Sequence, residues 1–127
     1  MITQTIQHSD EYDNRPWRID FRNKNASANI CILGDEPDTA YLYDVFSTNR
    51  RKGEASALIR EIDAYCLTHH ITLIVYANVY ETGQTGIQTN DELKKWYEKN
   101  GAHYIGMSDE NDDTPMLLLG YDSDQGE

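Results

Sequence analysis

The chain has 127 residues, enough for one domain with a single core, and the 39% that are apolar are concentrated in a few runs. Its formal charge of −11 argues against nucleic acid as a direct partner, because phosphate contacts need a basic face. Apolar runs such as Ile71–Ala77 and Met116–Leu119 are too short to span a bilayer, and no basic-then-apolar leader opens the chain, so a cytoplasmic protein with reduced Cys31 and Cys66 is expected.

Residues 1–7 alternate weakly and read as an edge strand. The polar stretch 8–16 ends in Pro16 and reads as a loop. Trp17, Ile19 and Phe21 alternate with Arg18, Asp20 and Arg22, the period of a half-buried strand. After a turn over Asn23–Ser27, the alternation resumes at Ala28, Ile30 and Ile32. A second turn, Asp35–Thr39, leads into the aromatic strand Ala40–Phe46. The period then changes. Leu58, Ile62, Tyr65 and Cys66 recur at helical spacing between about Gly53 and His69.

Ile71–Ala77 is β-branched and nearly continuous, as expected of a strand buried on both faces. Tyr80–Thr89 is a long Gly-, Thr- and Gln-rich loop. Thr89 or Asn90 caps a second helix with Asp91 and Glu92 in its first turn, and Gly101 stops that helix. Strands near His103–Met107 and Met116–Tyr121 flank the acidic turn Ser108–Pro115. The expected fold is one α/β (α+β) domain over residues 1–127, a mixed, mostly antiparallel sheet in β-β-β-α-β-α-β-β order with two helices. Between Asp109 and Glu127 lie seven acidic residues and no Lys or Arg, leaving 15 acidic against 11 basic residues elsewhere. That end of the chain, with 122–127 as its tail, reads as a solubilising segment or as an acidic surface for a basic substrate or protein.

The segment Val45–Ser56 joins a strand directly to a helix. A helix start presents unpaired N–H groups and the positive end of the dipole, both suited to phosphate. Gly53 lets the main chain approach a ligand without a Cβ in the way, and Ala55 and Ser56 are small. Arg50, Arg51 and Lys52 form the densest positive cluster in the chain. These residues by themselves propose a phosphate or pyrophosphate site, with an ordinary solvated helix start as the alternative.

Arg50, Gly53 and Ala55 fill the pattern R/Q-x-x-G-x-G/A, and Val45 supplies the apolar residue that precedes it. Asn90, Leu93, Tyr97, Glu98, Lys99 and Gly101 follow the spacing of N-x-x-A-x-x-x-Y-E-K-x-G-F, with Leu93 and Ala102 as apolar departures. Over residues 40–121 the chain therefore resembles the GCN5-related N-acetyltransferase (GNAT) family. The resemblance implies an acetyl-CoA-dependent N-acetyltransferase that moves an acetyl group directly to a primary amine, on a protein or a small molecule. It implies that Tyr43–Val45 splay from the neighbouring strand and pair with the pantetheine arm. Arg50, Arg51, Lys52, Gly53, Glu54, Ala55 and Ser56 would cradle the pyrophosphate, and Asn90 would lie beside the pantetheine. Tyr97 would be the general acid that protonates the thiolate. A phenol suits that task because its reference pKa lies near that of a thiol.

The family normally places a strand and two helices before the first hairpin, and the residues before Trp17 are too few for both helices. A wider acceptor groove, a wall supplied by a homodimer partner, or lost catalysis would each follow. Asp44, on the cofactor strand, and Glu81, opening the long loop, are the two candidate bases. The rival from another class is an inactive GNAT-like module that binds CoA or a basic protein partner. His8, His69, His70 and His103 have no ligand spacing, so no metal is expected. No G-x-S-x-G or G-x-x-x-x-G-K-[ST] pattern is present either.

Overall fold

The computed structural model describes residues 2–9, 15–32, 36–47, 53–78, 89–108 and 114–122. They form β1 (Thr3–Ser9), β2 (Arg15–Arg22), β3 (Ala26–Ile32), β4 (Thr39–Ser47), α1 (Glu54–Thr68), β5 (Thr72–Tyr76), α2 (Asn90–Lys99), β6 (His103–Met107) and β7 (Pro115–Gly120). The strands make one sheet in the order β1-β2-β3-β4-β5-β7-β6. Among the described residues only β4 and β5 pair in parallel, and the other ladders are antiparallel. The mixed sheet and two helices agree with the expected fold class. The N-terminal edge strand stands in front of the three expected strands, so the described order opens with four.

The core is one-sided. Ile19 and Phe21 of β2, Ala28 and Ile30 of β3, Ala40, Leu42 and Val45 of β4, Leu73 and Val75 of β5, and Leu117 and Leu119 of β7 are buried together. Register carries this row across the sheet: Ile19 faces Ile30, Ile30 faces Leu42, Ala40 faces Leu73, and Leu73 faces Leu119. Leu58, Ile59, Ile62 and Cys66 of α1 and Leu93 and Tyr97 of α2 belong to the same cluster, so both helices cover the same face. Each fully buried aliphatic side chain contributes about 1.5–3 kcal/mol by leaving water.

This arrangement corrects the expectation for β5. Its burial alternates: Leu73 and Val75 are buried, whereas Thr72, Ile74 and Tyr76 are only partly covered. A continuous apolar run indicates a doubly covered strand when helices flank both faces. Here both described helices lie on one side. Cys66 lies on the buried side of α1 and Cys31 on the opposite face of the sheet, so the sheet separates the two free thiols.

Local chemistry sets the helix ends. Thr89 caps α2, its hydroxyl accepting from the Glu92 N–H at 3.1 Å. At the other end, Gly101 (φ +100°) donates to the Glu98 carbonyl and Ala102 to the Tyr97 carbonyl, a Schellman stop. The end of α1 has the same bonding, His70 to Leu67 and Ile71 to Cys66, but with a histidine at φ +54° in the glycine position. Gly120 is required for a different reason. A Cβ there would meet the Ile71 carbonyl at 2.5 Å and the Cys66 Cβ at 2.6 Å.

Candidate active site

Three irregularities meet where β4 runs out toward α1. The β4–β5 ladder holds Thr39–Thr72, Ala40–Leu73 and Tyr41–Ile74 and stops there, although β4 continues to Ser47 and β5 to Tyr76. The parallel strands thus part in their C-terminal halves. The rings of Tyr41 and Tyr76 stack across the parting on the open face, 5.9 Å apart and within 4° of parallel.

Within the same stretch β4 carries a bulge. Ser27 pairs with Phe46 and Asn29 with Tyr43, so β4 spends one more residue than β3 around Asp44 and Val45. A bulge interrupts the ladder and turns main-chain groups out of it. Val45 anchors the bulge, at 1% exposure, while Tyr43 is 43% exposed. The third irregularity is the start of α1. Gly53 takes the left-handed conformation (φ 69°, ψ 16°) and provides no side-chain cap. Among the described residues, its chain neighbours aside, nothing lies within 4 Å of where its Cβ would be.

The turn between β2 and β3 holds this helix start in place. Asn23 Oδ1 accepts from the Ala26 N–H at 2.9 Å and shapes the turn, while its Nδ2 donates to the Glu54 carbonyl at 2.9 Å. Asn25 Nδ2 donates to Glu54 Oε1 at 2.9 Å. The Glu54 carboxylate is thereby held toward the turn. Its Oε2 is buried and has no partner among the described residues. An acceptor oxygen adds nothing toward phosphate, so the donors that fit an anion here are the main-chain N–H groups of the first turn, behind an open Gly53.

The residues expected at the site divide as follows. Tyr43, Val45, Gly53, Glu54, Ala55 and Ser56 fall on one strand–helix connection. Asn90 is the first residue of α2, beside the Thr89 cap, and Tyr97 lies two turns further along. Tyr97 is 1% exposed, edge-on to Trp96 at 5.1 Å, and desolvation raises its phenol pKa above the usual range. The proton therefore stays on the oxygen at any physiological pH. Arg50, Arg51, Lys52, Glu81 and the side chain of Asp44 lie outside the described residues. Among those that are described, no group of His, Cys, Asp and Glu is arranged to hold a metal ion. The bracing by Asn23 and Asn25 was not anticipated from sequence. The Asn-Lys-Asn run marked a turn but gave no sign of what the turn would hold.

No protein-family model matches the sequence, and no curated protein matches it. Solved structures do. The anti-CRISPR protein AcrVA5 superposes with a TM-score of 0.61 at 18% identity, covering 79% of this chain and 97% of that one. An N-acetyltransferase from Staphylococcus aureus Mu50 gives a TM-score of 0.60 at 13% identity over 94% and 97% of the two chains. A GNAT-family acetyltransferase from Bacillus cereus ATCC 10987 gives 0.55 at 15% over 95% and 98%. The chain has the GNAT fold; at these identities the likeness carries architecture and not chemistry.

Proposed function

We propose that this chain is an acetyl-CoA-dependent N-acetyltransferase acting on a primary amine by direct transfer. The observation that carries the reading is the coincidence, on one strand–helix connection, of a parted parallel ladder, a bulge and an uncapped helix start. An extended arm can pair with a parted strand edge, and its phosphates can meet a helix N-terminus, so one linear ligand would satisfy both. Acetyl-CoA, when bound, supplies the activated thioester. Main-chain N–H groups at the Asp44–Val45 bulge are the candidate donors for its carbonyl oxygen. Asp44 or Glu81 would take the amine proton, directly or through water, and Tyr97 would donate its own to the departing sulfur. The Staphylococcus aureus neighbour, described as an N-acetyltransferase, is matched over 97% of its length, which supports activity in a form this compact. No described helix is long and apolar enough to cross a membrane, and two free thiols fit a reducing cytoplasm.

The complete burial of Tyr97 favours one rival reading, a GNAT-fold module that binds CoA without turning it over. Calorimetric titration with acetyl-CoA, with ATP as control, tests the common premise. Micromolar binding that is lost in Gly53→Glu, in a variant still folded by circular dichroism, is the expected outcome. Unchanged affinity in that variant would remove the proposed pyrophosphate site. Turnover of an amine panel then separates enzyme from module.

A further inference from the structure

The open face of the sheet carries a cleft of about 180 Å³ lined by Arg18, Asp20 and Arg22 of β2 and Ser27, Ala28 and Asn29 of β3. From it we infer that the acceptor is an amine bearing a carboxylate several bonds away, with the carboxylate seated on Arg22. This rests on the acetyltransferase reading and adds the substrate class to it.

Placement comes first. Asp20 faces Asn29, which faces Tyr43; Arg22 faces Ser27, which faces Phe46. The cleft therefore adjoins the bulged stretch of β4, on the side away from the helices. One strand spacing separates β3 from the bulge and two separate β2 from it, roughly 10 Å at about 4.8 Å each. An amine at the bulge would thus lie a short aliphatic chain away from a group bound on β2.

Charge decides which group that is. Arg18 donates to Asp20 Oδ1 from Nε at 3.3 Å and from Nη2 at 3.1 Å, so these two charges offset each other. Arg22 is left over. Its cross-strand neighbours are Thr3 on β1 and Ser27 on β3; the adjoining row, Thr5–Asp20–Asn29, holds one acid, Asp20, which Arg18 engages, and the row beyond holds Gln7, Arg18 and Cys31. Among the described residues Arg22 has no ion-pair partner. In a chain of net charge −11, this guanidinium is thus left without an ion pair among the described residues, beside the proposed transfer site. Asn29, at 6% exposure, and Ser27 add polar groups to the lining. One unbalanced positive charge with a planar donor fork matches a carboxylate, which carries one negative charge, better than a phosphate dianion.

The test uses three acceptors sharing an aliphatic amine: 6-aminohexanoate, hexylamine and 5-aminopentylphosphonate. Acetyl-CoA binding is measured first by calorimetry, for the wild type and for Arg22→Gln. The expected result is a kcat/KM for 6-aminohexanoate about tenfold or more above hexylamine, as for a charge-assisted contact. That ratio should collapse to within about twofold of one in Arg22→Gln, recover in part in Arg22→Lys, and shrink with added salt. A ratio near one in the wild type, or one that Arg22→Gln leaves unchanged, overturns the acceptor assignment while the acetyltransferase reading stands. Preference for the phosphonate overturns the carboxylate in favour of a phosphate. Failure to bind acetyl-CoA overturns the acetyltransferase reading and the acceptor with it.

Discussion

The two faces of the sheet are made from the same strands, often from adjacent residues, yet they differ in kind. Under the helices Leu73, Val75, Leu117 and Leu119 are sealed together with α1 and α2. On the other face Ile74 and Leu118 are only partly covered, Tyr41 and Tyr76 stack in the open, and Arg18, Asp20 and Arg22 line a cleft. The covered face holds the fold together. On the proposed reading, the open face, where the β4–β5 ladder has parted, is where a second substrate would enter. Stability and chemistry would then be divided between alternate residues of one strand.

The sharpest way to break this comparison is to truncate neighbours. Leu73→Ala, on the covered face, should cost about 2–5 kcal/mol, whereas Ile74→Ala should cost about 1 kcal/mol or less. Urea denaturation midpoints decide it, and equal losses would mean that the open face is covered in solution. Tyr97→Phe tests whether the covered face also contributes to chemistry. Loss of turnover of about 100-fold with acetyl-CoA affinity nearly intact is expected of a general acid. Equal turnover would leave Tyr97 as a core aromatic.

A pH titration of stability probes the same face. Burial pushes the Cys66 thiol from near 9 up to about 12, with Asp63 adding to the shift. The folded state therefore holds this proton more tightly than the unfolded chain. The associated stability is present in full below pH 9 and is lost toward pH 12, by about 1.4 kcal/mol per unit. Tyr97, also raised by burial, adds to the loss above its ordinary value near 10. Cys66→Ala should delay the onset of the decline by about one pH unit, measured by thermal melts between pH 8 and 11. The smallest effect is at the end of α1. His70→Gly relieves a left-handed residue and should raise stability by about 1 kcal/mol or less, reduced by lost contact with the Tyr121 ring at 4.8 Å.

The legible parts of this chain were those written in local signals. Helical spacing located α1, and the Thr89 cap with the Gly101 stop located α2 within a residue or two. The alternation of Ile19 and Phe21 with Arg18 and Asp20 identified both faces of β2. The candidate site was proposed from sequence on one strand–helix connection and one further helix, and its described residues fall on those elements. The geometry that brings them together was not legible. The parted ladder, the bulge at Asp44–Val45 and the grip of Asn23 and Asn25 on Glu54 each depend on residues far apart in the chain.

Sequence by itself determined the helices and most of the strands, since periodicity, caps and glycine conformations act over a few residues. It read 8–16 as a loop and 23–27 as a turn, where β1 runs on to Ser9, β2 begins at Arg15 and β3 at Ala26. Only the tertiary structure decided which face is covered. The apolar run at Ile71–Ala77 reads the same whether helices flank one side or both, and it took the placement of α1 and α2 on one side to leave Ile74 and Tyr76 in the open. The same placement left Arg22 on the open face, where no ion-pair partner is found for it among the described residues. A local pattern records how a residue would prefer to be buried; what is available to bury it depends on the rest of the chain.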